Sequence, residues 1–415
     1  MKIPFFSRYF GKRENESLSP QEFAKLFIEY SSSKAGVSVN SETAIKVAAV
    51  FACVKILSET VACLPLPLYQ RIKDKGKDKA VNHNLYSILH DMPNQDTTAF
   101  DFWQMLMVNL LLTGDGFAVI KRDGDGFIKE LRNVPSGKVT IYKNTVSDEK
   151  YYVITDNGKQ YKYYPENIFH VRGMRYTSAD ASLNPILIAR EALGLAIATE
   201  EYGSKYFSQG ANPGGIIEYD GALSDTAFER FKQSFNEKYS GIGNSSKVLF
   251  LESGAKYTKI GNAPEESQFL ETRKFQIIEI ARFFNVPPHM IMDLERATFS
   301  NIEQQSINFV QYSLNPWLVR IEQTIFKDLL NTGERKTYFA KFNVNGLLRG
   351  DSTARKEFYQ AMIQNGVYSP NKVLELEDEN TYEGGDIRVI NGNMLPVSML
   401  EDYLKWKMST KKGGD

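Results

Sequence analysis

The residues able to bind metal ions or carry out acid–base chemistry are scattered along this chain. Its four histidines are His83, His90, His170 and His289. His83 and His90 fall in one predicted helix, but their spacing is wider than metal ligands on adjacent helical turns require. No His-Glu-x-x-His pair occurs in the sequence. The histidines therefore predict no metal site.

Two glycine-rich segments resemble binding motifs only in part. Asp123-Gly124-Asp125-Gly126 begins like a calcium-binding loop, but the glutamate that such a loop needs at its twelfth position is replaced by Val134. A hairpin turn is the interpretation that this segment favours. Gly114-Asp115-Gly116 is interpreted as a helix-to-strand turn and not as a dinucleotide-binding fingerprint.

The sequence also lacks the motifs of phosphate binding and of nucleophilic catalysis. No glycine-rich stretch ends in Gly-Lys-Ser/Thr, and no serine stands between glycines as in a nucleophile elbow. The pairs Glu200-Glu201 and Glu265-Glu266 are interpreted as surface charge on helices; the second suits the positive end of a helix dipole. We therefore expect no enzymatic activity and no cofactor.

Composition indicates an ordinary soluble protein with no bulk attraction for DNA. The 415 residues include 50 basic and 50 acidic side chains, so the formal net charge is zero, which disfavours tight static binding to phosphates. The length favours two to three domains. Charged residues interrupt both apolar stretches, 44–64 and 185–199, so we predict no membrane-spanning helix. Residues 1–10 lack the pattern of a secretory signal.

The two cysteines, Cys53 and Cys63, lie in one apolar segment. Two cysteines are too few for a zinc framework, and we expect both to be buried free thiols of a reducing compartment.

The first half of the chain alternates helical and strand-like patterns. After a polar arm with a short helix at 20–30, apolar residues at helical spacing predict a helix from Ile45 to Leu64, ended by Pro65. A strand at 66–71 follows, and the lysine-rich segment 73–79 is interpreted as a solvated hairpin tip. A helix at 100–113 precedes a small antiparallel sheet. Its six predicted strands are 117–121, 127–131, 139–142, 151–155, 161–164 and 168–171.

The second half is dominated by long helices. Asn184 and Pro185 predict the start of an unbroken helix to about Gln209. A strand–helix–strand segment (215–218, 225–239, 247–251) and a possible strand at 257–260 follow. A second long helix is predicted at 264–285. Ser300-Asn301-Ile302-Glu303 is interpreted as a capping box that opens a third helix to Leu330. Pro316 is expected to kink that helix, or to mark the meeting of two helices. A strand at 336–344 and short helices complete the chain.

Several segments resemble the tailed-bacteriophage portal proteins of the HK97 type. They are Thr43–Tyr69, His83–Trp103, Asn184-Pro-Ile-Leu with Arg190-Glu-Ala-Leu-Gly, and Gln268–Gln323. Together they cover about residues 40–350 in order, and this joint order carries the resemblance, since no single motif is chemically diagnostic.

The resemblance implies an α+β portal fold and assigns each part of the chain. The parts are an N-terminal arm (1–40), an α+β wing (41–183), a first stem helix (184–210), a small α/β clip (211–262), a second stem helix (263–286), a tunnel loop (287–299), a long kinked helix with a wing strand (300–350), and a short helical crown with a C-terminal tail (351–415). The implied helix kink is at Pro316. The implied DNA-facing residues of the tunnel loop are Asp293, Leu294, Glu295, Arg296, Ala297, Thr298 and Phe299.

The resemblance also implies a function and partners. Portal proteins of this type form a twelve-subunit ring at one capsid vertex, through which DNA is packaged and later ejected. The implied partners are further copies of the chain, double-stranded DNA bound without sequence specificity, terminase, the major capsid and scaffold proteins, and a head–tail adaptor, with no membrane. The implied location is the virion, with the host cytoplasm during assembly.

Zero net charge agrees with a conduit, because a protein that neutralised many phosphates would oppose DNA movement. We therefore expect the channel wall to be neutral or acidic. Apolar residues occupy much of the circumference of the second stem helix, among them Ile277, Ile278, Ile280, Ala281 and Phe284. Neighbouring subunits or a monomeric bundle would cover them. The alternatives are another ring-shaped virion connector, such as a head–tail adaptor, and a DNA-processing enzyme.

Overall fold

A computed structural model describes most of the chain between residues 33 and 389. The described residues are 33–72, 76–143, 149–175, 181–208, 215–218, 224–226, 228–230, 232–233, 256–259, 266–293, 299–344, 352–377 and 379–389. The helix predicted at 20–30, the strand predicted at 247–251 and the C-terminal tail lie outside them. The chain divides into two compact units, Met1–Asn343 and Val344–Asp415.

The first unit begins with helices whose ends follow local capping chemistry. The helices are α1 (Ser41–Ala44), α2 (Ala48–Cys63), α3 (Asn84–His90) and α4 (Ala99–Thr113). The side chain of Thr98 accepts a hydrogen bond from the backbone N–H of Asp101 and so caps α4. Gly114 ends α4 in the left-handed conformation, with φ of 92°. The two long helices α2 and α4 pack together, and both sequence predictions are confirmed.

A small antiparallel sheet joins the start of this unit to its end. Strands β1 (Leu68–Ile72) and β2 (Gly76–Lys79) form the predicted hairpin, and β1 also pairs with a distant strand, Tyr338–Ala340. That distant strand is shorter than the predicted 336–344, because a 3-10 turn at Glu334–Lys336 precedes it.

The six strands predicted between residues 117 and 171 are all present, but the prediction of one sheet was wrong. They are β3 (Asp115–Arg122), β4 (Ile128–Val134), β5 (Val139–Lys143), β6 (Lys150–Asp156), β7 (Lys159–Tyr163) and β8 (Ile168–Arg172). They form two three-stranded antiparallel sheets, ordered β4-β3-β8 and β5-β6-β7. A 3-10 turn at Ser136–Lys138 separates β4 from β5, and β8 takes the free edge of β3. Phe117 and Tyr152 pack in a shared core between the two sheets.

The first long helix is interrupted, although the sequence predicted it as unbroken. It consists of α5 (Pro185–Ile188) and α6 (Arg190–Ser208), since Ala189 leaves helical geometry with ψ of 5°. As predicted, the Asn184 side chain accepts a hydrogen bond from the backbone N–H of Leu187 and caps α5. Beyond α6, strands β9 (Gly215–Glu218) and β10 (Lys256–Lys259) pair in antiparallel fashion. The described residues between 225 and 233 are helical.

The remaining helices of this unit are α7 (Glu266–Phe283), α8 (Phe299–Asn308) and α9 (Asn315–Asp328), followed by β11 (Tyr338–Ala340), the partner of β1. Because α8 begins at Phe299, Ser300 is its second residue, and the predicted capping box at Ser300 was wrong. The second unit contains α10 (Ser352–Gln364) and α11 (Pro370–Leu376), which an ion pair between Arg355 and Glu377 joins.

Both cysteines are free thiols, but only Cys53 is buried, whereas Cys63 at the end of α2 is exposed. The expectation that both are buried was therefore wrong for Cys63. Burial raises the pKa of Cys53 to about 12, so its reactive thiolate is scarce at neutral pH. We expect a maleimide to label one thiol per native chain and two after denaturation, as counted by intact mass. Cys63→Ser should abolish native labelling; two labels on the native wild type would contradict the burial of Cys53.

Candidate functional site

The predicted tunnel loop lies between α7 and α8, and the structure describes its first part. Residues Pro288–Ile291 form a 3-10 turn, and Met292 follows in the left-handed conformation with 86% of its surface exposed. The backbone N–H of Asp293 donates to the carbonyl of Pro288. Among the other predicted DNA-facing residues, Phe299 is the first residue of α8. Leu294, Glu295, Arg296, Ala297 and Thr298 lie outside the described residues.

Side chains fasten the base of this loop to the following helices. Nδ1 of His289 lies 2.7 Å from Oε1 of Gln305 on α8. Asn285 has a left-handed backbone with φ of 55°. Its side-chain amide donates to the carbonyl of Tyr312 over 3.1 Å, while the Ser313 hydroxyl donates to the carbonyl of Asn285. The end of α7 is therefore held in both directions by the segment that joins α8 to α9.

That joining segment explains the role of Pro316. Residues Phe309–Leu314 form a π-helix between α8 and α9, and Pro316 is the second residue of α9. A proline has no N–H to donate to the carbonyl four residues earlier, which here belongs to Tyr312. Asn285 supplies the missing donor to that carbonyl. The change of helical hydrogen-bond pattern just before Pro316 is typical of helix bends, and the kink itself stays a prediction.

The helices α6 and α7 pack side by side and run antiparallel. The amide of Gln276, which is buried, donates to the Thr199 hydroxyl over 3.2 Å. Six residues further along α7 in the opposite direction, the ring of Phe269 lies against Gly203, where a Cβ atom would come within 2.7 Å of it. These contacts bring together the two helices that the sequence predicts as stem helices.

A buried polar network anchors α5 and α6 to the wing sheets. Oδ1 of Asp115 accepts hydrogen bonds from Nε2 of His170 (2.9 Å) and from the Ser182 hydroxyl (2.6 Å), and Oδ2 accepts from the backbone N–H of Ser182 (2.9 Å). The Tyr152 hydroxyl lies 3.1 Å from Nδ1 of His170. With Nε2 donating, Nδ1 is left to accept from Tyr152, so the network suits a neutral imidazole.

The electrostatics of this network support the same protonation states. Burial raises the pKa of Asp115, but hydrogen bonds from His170 and Ser182 outweigh it and hold that pKa below its ordinary value. Burial lowers the pKa of His170 more than the adjacent carboxylate raises it. Near neutral pH, a carboxylate thus accepts hydrogen bonds from a neutral histidine and from the segment just before α5.

Two glycines allow the backbone to approach closely at this anchor. A Cβ atom on Gly114 would come within 2.2 Å of the Leu183 carbonyl oxygen, and one on Gly173 within 2.6 Å of the Gly114 carbonyl oxygen. The Arg320 guanidinium donates to the Gly173 carbonyl over 2.8 Å and so connects α9 to the same point. Sequence analysis missed this network, since Asp115 was interpreted only as part of a turn and His170 as isolated. The only sequence signal was a histidine inside the apolar strand β8.

The antiparallel helices also present apolar side chains to solvent. On α5 and α6, the side chains of Ile188, Leu195 and Tyr202 follow one another at intervals of seven residues and are 58%, 50% and 48% exposed. On α7, Leu270 and Phe275 are exposed, as are Ile277 and Ile278 to a smaller degree, whereas Ile280 is buried. Apolar surface repeated along one helix face in this way is typical of a protein–protein contact.

Within the described part of the chain, no three histidine, cysteine, aspartate or glutamate side chains are grouped so that they would hold a metal ion. The described helices also include none that is long and apolar enough to cross a membrane.

Comparison with known proteins gives consistent relatives. A family profile described as "Phage portal protein" matches residues 48–378. The chain is 33% identical to the "Probable portal protein" of Streptomyces phage phiC31, over 90% of this chain and 85% of that protein. It is 29% identical to the "Portal protein" of Enterobacteria phage HK97, over 88% and 86% of the two chains.

Solved structures share the fold at lower sequence identity. A crystal structure of an HK97 family phage portal protein from Corynebacterium diphtheriae has a TM-score of 0.56 at 19% identity, covering 74% of this chain and 96% of the other. A chain from the neck of the native gene transfer agent particle, computed with C12 symmetry, has a TM-score of 0.53 at 22% identity. That match covers 80% of this chain and 91% of the other.

Proposed function

The chain belongs to the phage portal protein family, and from that premise we propose how its described surfaces serve a portal. It is an HK97-type portal protein with an α+β fold, and it forms the ring-shaped DNA channel at one capsid vertex of the virion. This ring serves genome packaging, head–tail joining and DNA ejection, and a dodecamer fits the twelvefold neck of the structural relative. The family is structural, not enzymatic. The head–tail adaptor alternative has no support among these relatives.

We propose that the α6 face defined by Leu195 and Tyr202 contacts the neighbouring subunit of the ring. Both side chains are about half exposed in a single chain, and their spacing of seven residues aligns them along the helix. A ring repeats one contact at every subunit boundary, so one apolar stripe per chain is enough to close it. The exposed apolar residues of α7 are the complementary surface that fits this arrangement.

We also propose that α6 and α7 form the stem that surrounds the DNA. The three acidic and three basic residues of α7 cancel, and α6 carries three acidic and two basic residues, so the pair has a net charge of −1. A wall of that charge offers phosphates no strong attraction, so DNA passes it without being held. The antiparallel contact between Gln276 and Thr199 is the observation on which this assignment rests.

The segment between these helices is the clip in our proposal, and residues 287–299 are the tunnel loop. The clasp of Asn285 with Tyr312 and Ser313 gives the tunnel loop a firm base, from which Asp293 to Phe299 would reach the DNA. The clip would bind terminase during packaging and the head–tail adaptor afterwards. Major capsid and scaffold proteins would receive the ring during assembly in the host cytoplasm.

The pairing of β9 with β10 suggests a direct test of the clip. Gly215 and Lys259 are opposite each other in that pair, so an Asn-Gly turn can replace residues 216–258 without moving the ends of α6 and α7. We expect the shortened chain to form rings and to bind the cognate terminase at least about tenfold more weakly, because the main contact surface is gone. Pull-down and titration of terminase on purified rings would measure this.

A matched control shortens a different exposed hairpin. Arg122 and Ile128 are also opposite each other, so Asn-Gly can replace residues 123–127 in the wing. That variant should bind terminase normally. Unchanged binding by the clip variant, or its failure to reach the mass of the ring, would contradict the assignment of this segment to terminase.

A further inference from the structure

One face of the sheet formed by β1, β2 and β11 is strongly basic. The pairing of Tyr69 with Lys79 and with Phe339, and of Arg71 with Lys77, brings alternate residues of the three strands onto one face. Lys341, just beyond β11, interacts electrostatically with Lys77. We call these six residues the cationic face: Tyr69, Arg71, Lys77, Lys79, Phe339 and Lys341.

Two aromatic rings hold the cations flat against the sheet. The rings of Tyr69 and Phe339 stack with their centres 5.7 Å apart. The Lys77 ammonium lies 4.0 Å from the centre of the Tyr69 ring, and the Arg71 guanidinium 5.0 Å from that of Phe339. Arg71 also donates to the carbonyls of two residues before β11, at 3.3 Å each. The charges therefore form a platform about 7 by 10 Å across, as expected for alternate residues on three strands.

The positive charge of this platform is poorly balanced. None of its six residues is acidic, and Asp78 on β2 lies on the opposite side of the sheet, across from Gln70. Burial, with a smaller contribution from Lys341, lowers the pKa of Lys77. Glu322 on α9 interacts with Lys77 and Lys341, but burial raises the pKa of that carboxyl. Four cations thus share one carboxylate whose ionised form is disfavoured, and an added anion would relieve their repulsion.

We propose that the cationic face binds the phosphate backbone of duplex DNA without reading its sequence. This inference goes beyond the neutral stem and rests on the portal function only in that this function brings DNA to the protein. The face would be a second, weak DNA contact of the wing, separate from the channel.

Duplex DNA suits this surface better than the other anionic partners. DNA carries about one negative charge per 1.7 Å of helix axis, so several phosphates would lie within the span of the platform. Three of the four cations are lysines, which act as point charges, and one nitrogen of the Arg71 fork already bonds to carbonyls. The face thus favours diffuse phosphates over a single carboxylate held bidentately. A second copy of this chain has no net charge and offers no general attraction.

The test is a salt titration of DNA binding to the purified full-length ring. The probe is a relaxed, covalently closed DNA circle, which cannot thread a closed channel and so reports on other surfaces. The variant is Lys77→Gln/Lys79→Gln/Lys341→Gln, and the matched control is Lys55→Gln/Lys129→Gln/Lys159→Gln at three exposed lysines elsewhere in the same unit. We expect the first variant to bind about tenfold more weakly, with a salt slope smaller by about 0.9 per lost contact. The control should bind like the wild type.

Glu322→Gln gives a change in the opposite direction. The glutamine oxygen can still accept from the Phe342 N–H, as Oε1 of Glu322 does over 2.8 Å, but the counter-charge is gone, so circle binding should strengthen about twofold or more. Native mass measurements confirm that each variant still forms rings, so loss of the ring and loss of the cationic face are told apart.

Four results would overturn the proposal. They are an unchanged affinity and salt slope in the triple variant, an equal loss in the control variant, loss of ring mass on substitution of the cationic face, and tighter binding of poly-glutamate than of DNA. The third would assign the face to a subunit contact, and the fourth to an acidic protein.

Discussion

Asp115→Ala is expected to destabilise the wing by about 3 kcal/mol, because it removes the acceptor of three hydrogen bonds from a buried site. The Nε2–H of His170 and the hydroxyl and N–H of Ser182 would all lose their partner. A loss of this size lowers Tm by about 6–12 °C for a domain of 150–250 residues. Differential scanning fluorimetry and urea unfolding of the purified protein would measure it.

Two further variants show whether the effect comes from the network. Asp115→Asn keeps an oxygen acceptor for Ser182, so it should fall between alanine and the wild type. Asp125→Ala, in the exposed turn between β3 and β4, removes an aspartate outside the network and should change stability by less than about 0.5 kcal/mol. Equal losses at positions 115 and 125 would show that the network contributes nothing special.

The anchor also matters for the stem, since Ser182 and Leu183 lie directly before the Asn184 cap of α5. When the Asp115 carboxylate is lost, this segment keeps only its backbone bonds, such as that from the Leu183 N–H to the Met174 carbonyl. Hydrogen exchange should therefore increase first at residues 181–185 in the Asp115→Ala variant. Uniform exchange along the chain would mean global unfolding without a local role in holding the stem helix.

The second large effect is on assembly: Leu195→Asp/Tyr202→Asp is expected to convert rings into single chains. Each of these charges would be buried at every subunit contact, at a cost of several kcal/mol per contact. Twelve chains of 47.1 kDa make a ring of about 565 kDa, so native mass spectrometry separates ring from monomer by a factor of twelve.

Phe127→Asp provides the matched control, since Phe127 is a similarly exposed apolar residue in the wing. That variant should assemble normally. The double variant should also keep the Tm of a single chain, because both substituted side chains are half exposed before assembly. Full-size rings from the double variant would remove α6 from the subunit contact.

Local features of this protein were readable from its sequence. Apolar residues at helical spacing predicted α2 and α4, and Pro65 and Gly114 predicted where they end. Alternation and turn residues predicted all six strands from β3 to β8, and Asn184 followed by Pro185 predicted the start of α5. Each of these signals lies within a few residues, because helix capping, turn formation and side-chain alternation depend on near neighbours.

The helix boundaries that failed show where near neighbours are insufficient. The interruption at Ala189 and the π-helix before Pro316 have no breaking residue at the site of the change itself. In the second case, the orphan carbonyl of Tyr312 finds its donor on Asn285, 27 residues away in sequence. A pattern of local spacing contains no information about such a partner.

The functional surfaces depended on tertiary structure for the same reason. Asp115 meets His170 and Ser182 across 55 and 67 residues, and the cationic face exists only because β1 pairs with β11 about 270 residues later. Read alone, the lysines of β2 indicate a solvated hairpin tip. Sequence by itself determined the segments, their ends and the family resemblance. Only the folded chain decided which segments became neighbours, because long-range strand pairing and burial depend on the register of distant residues.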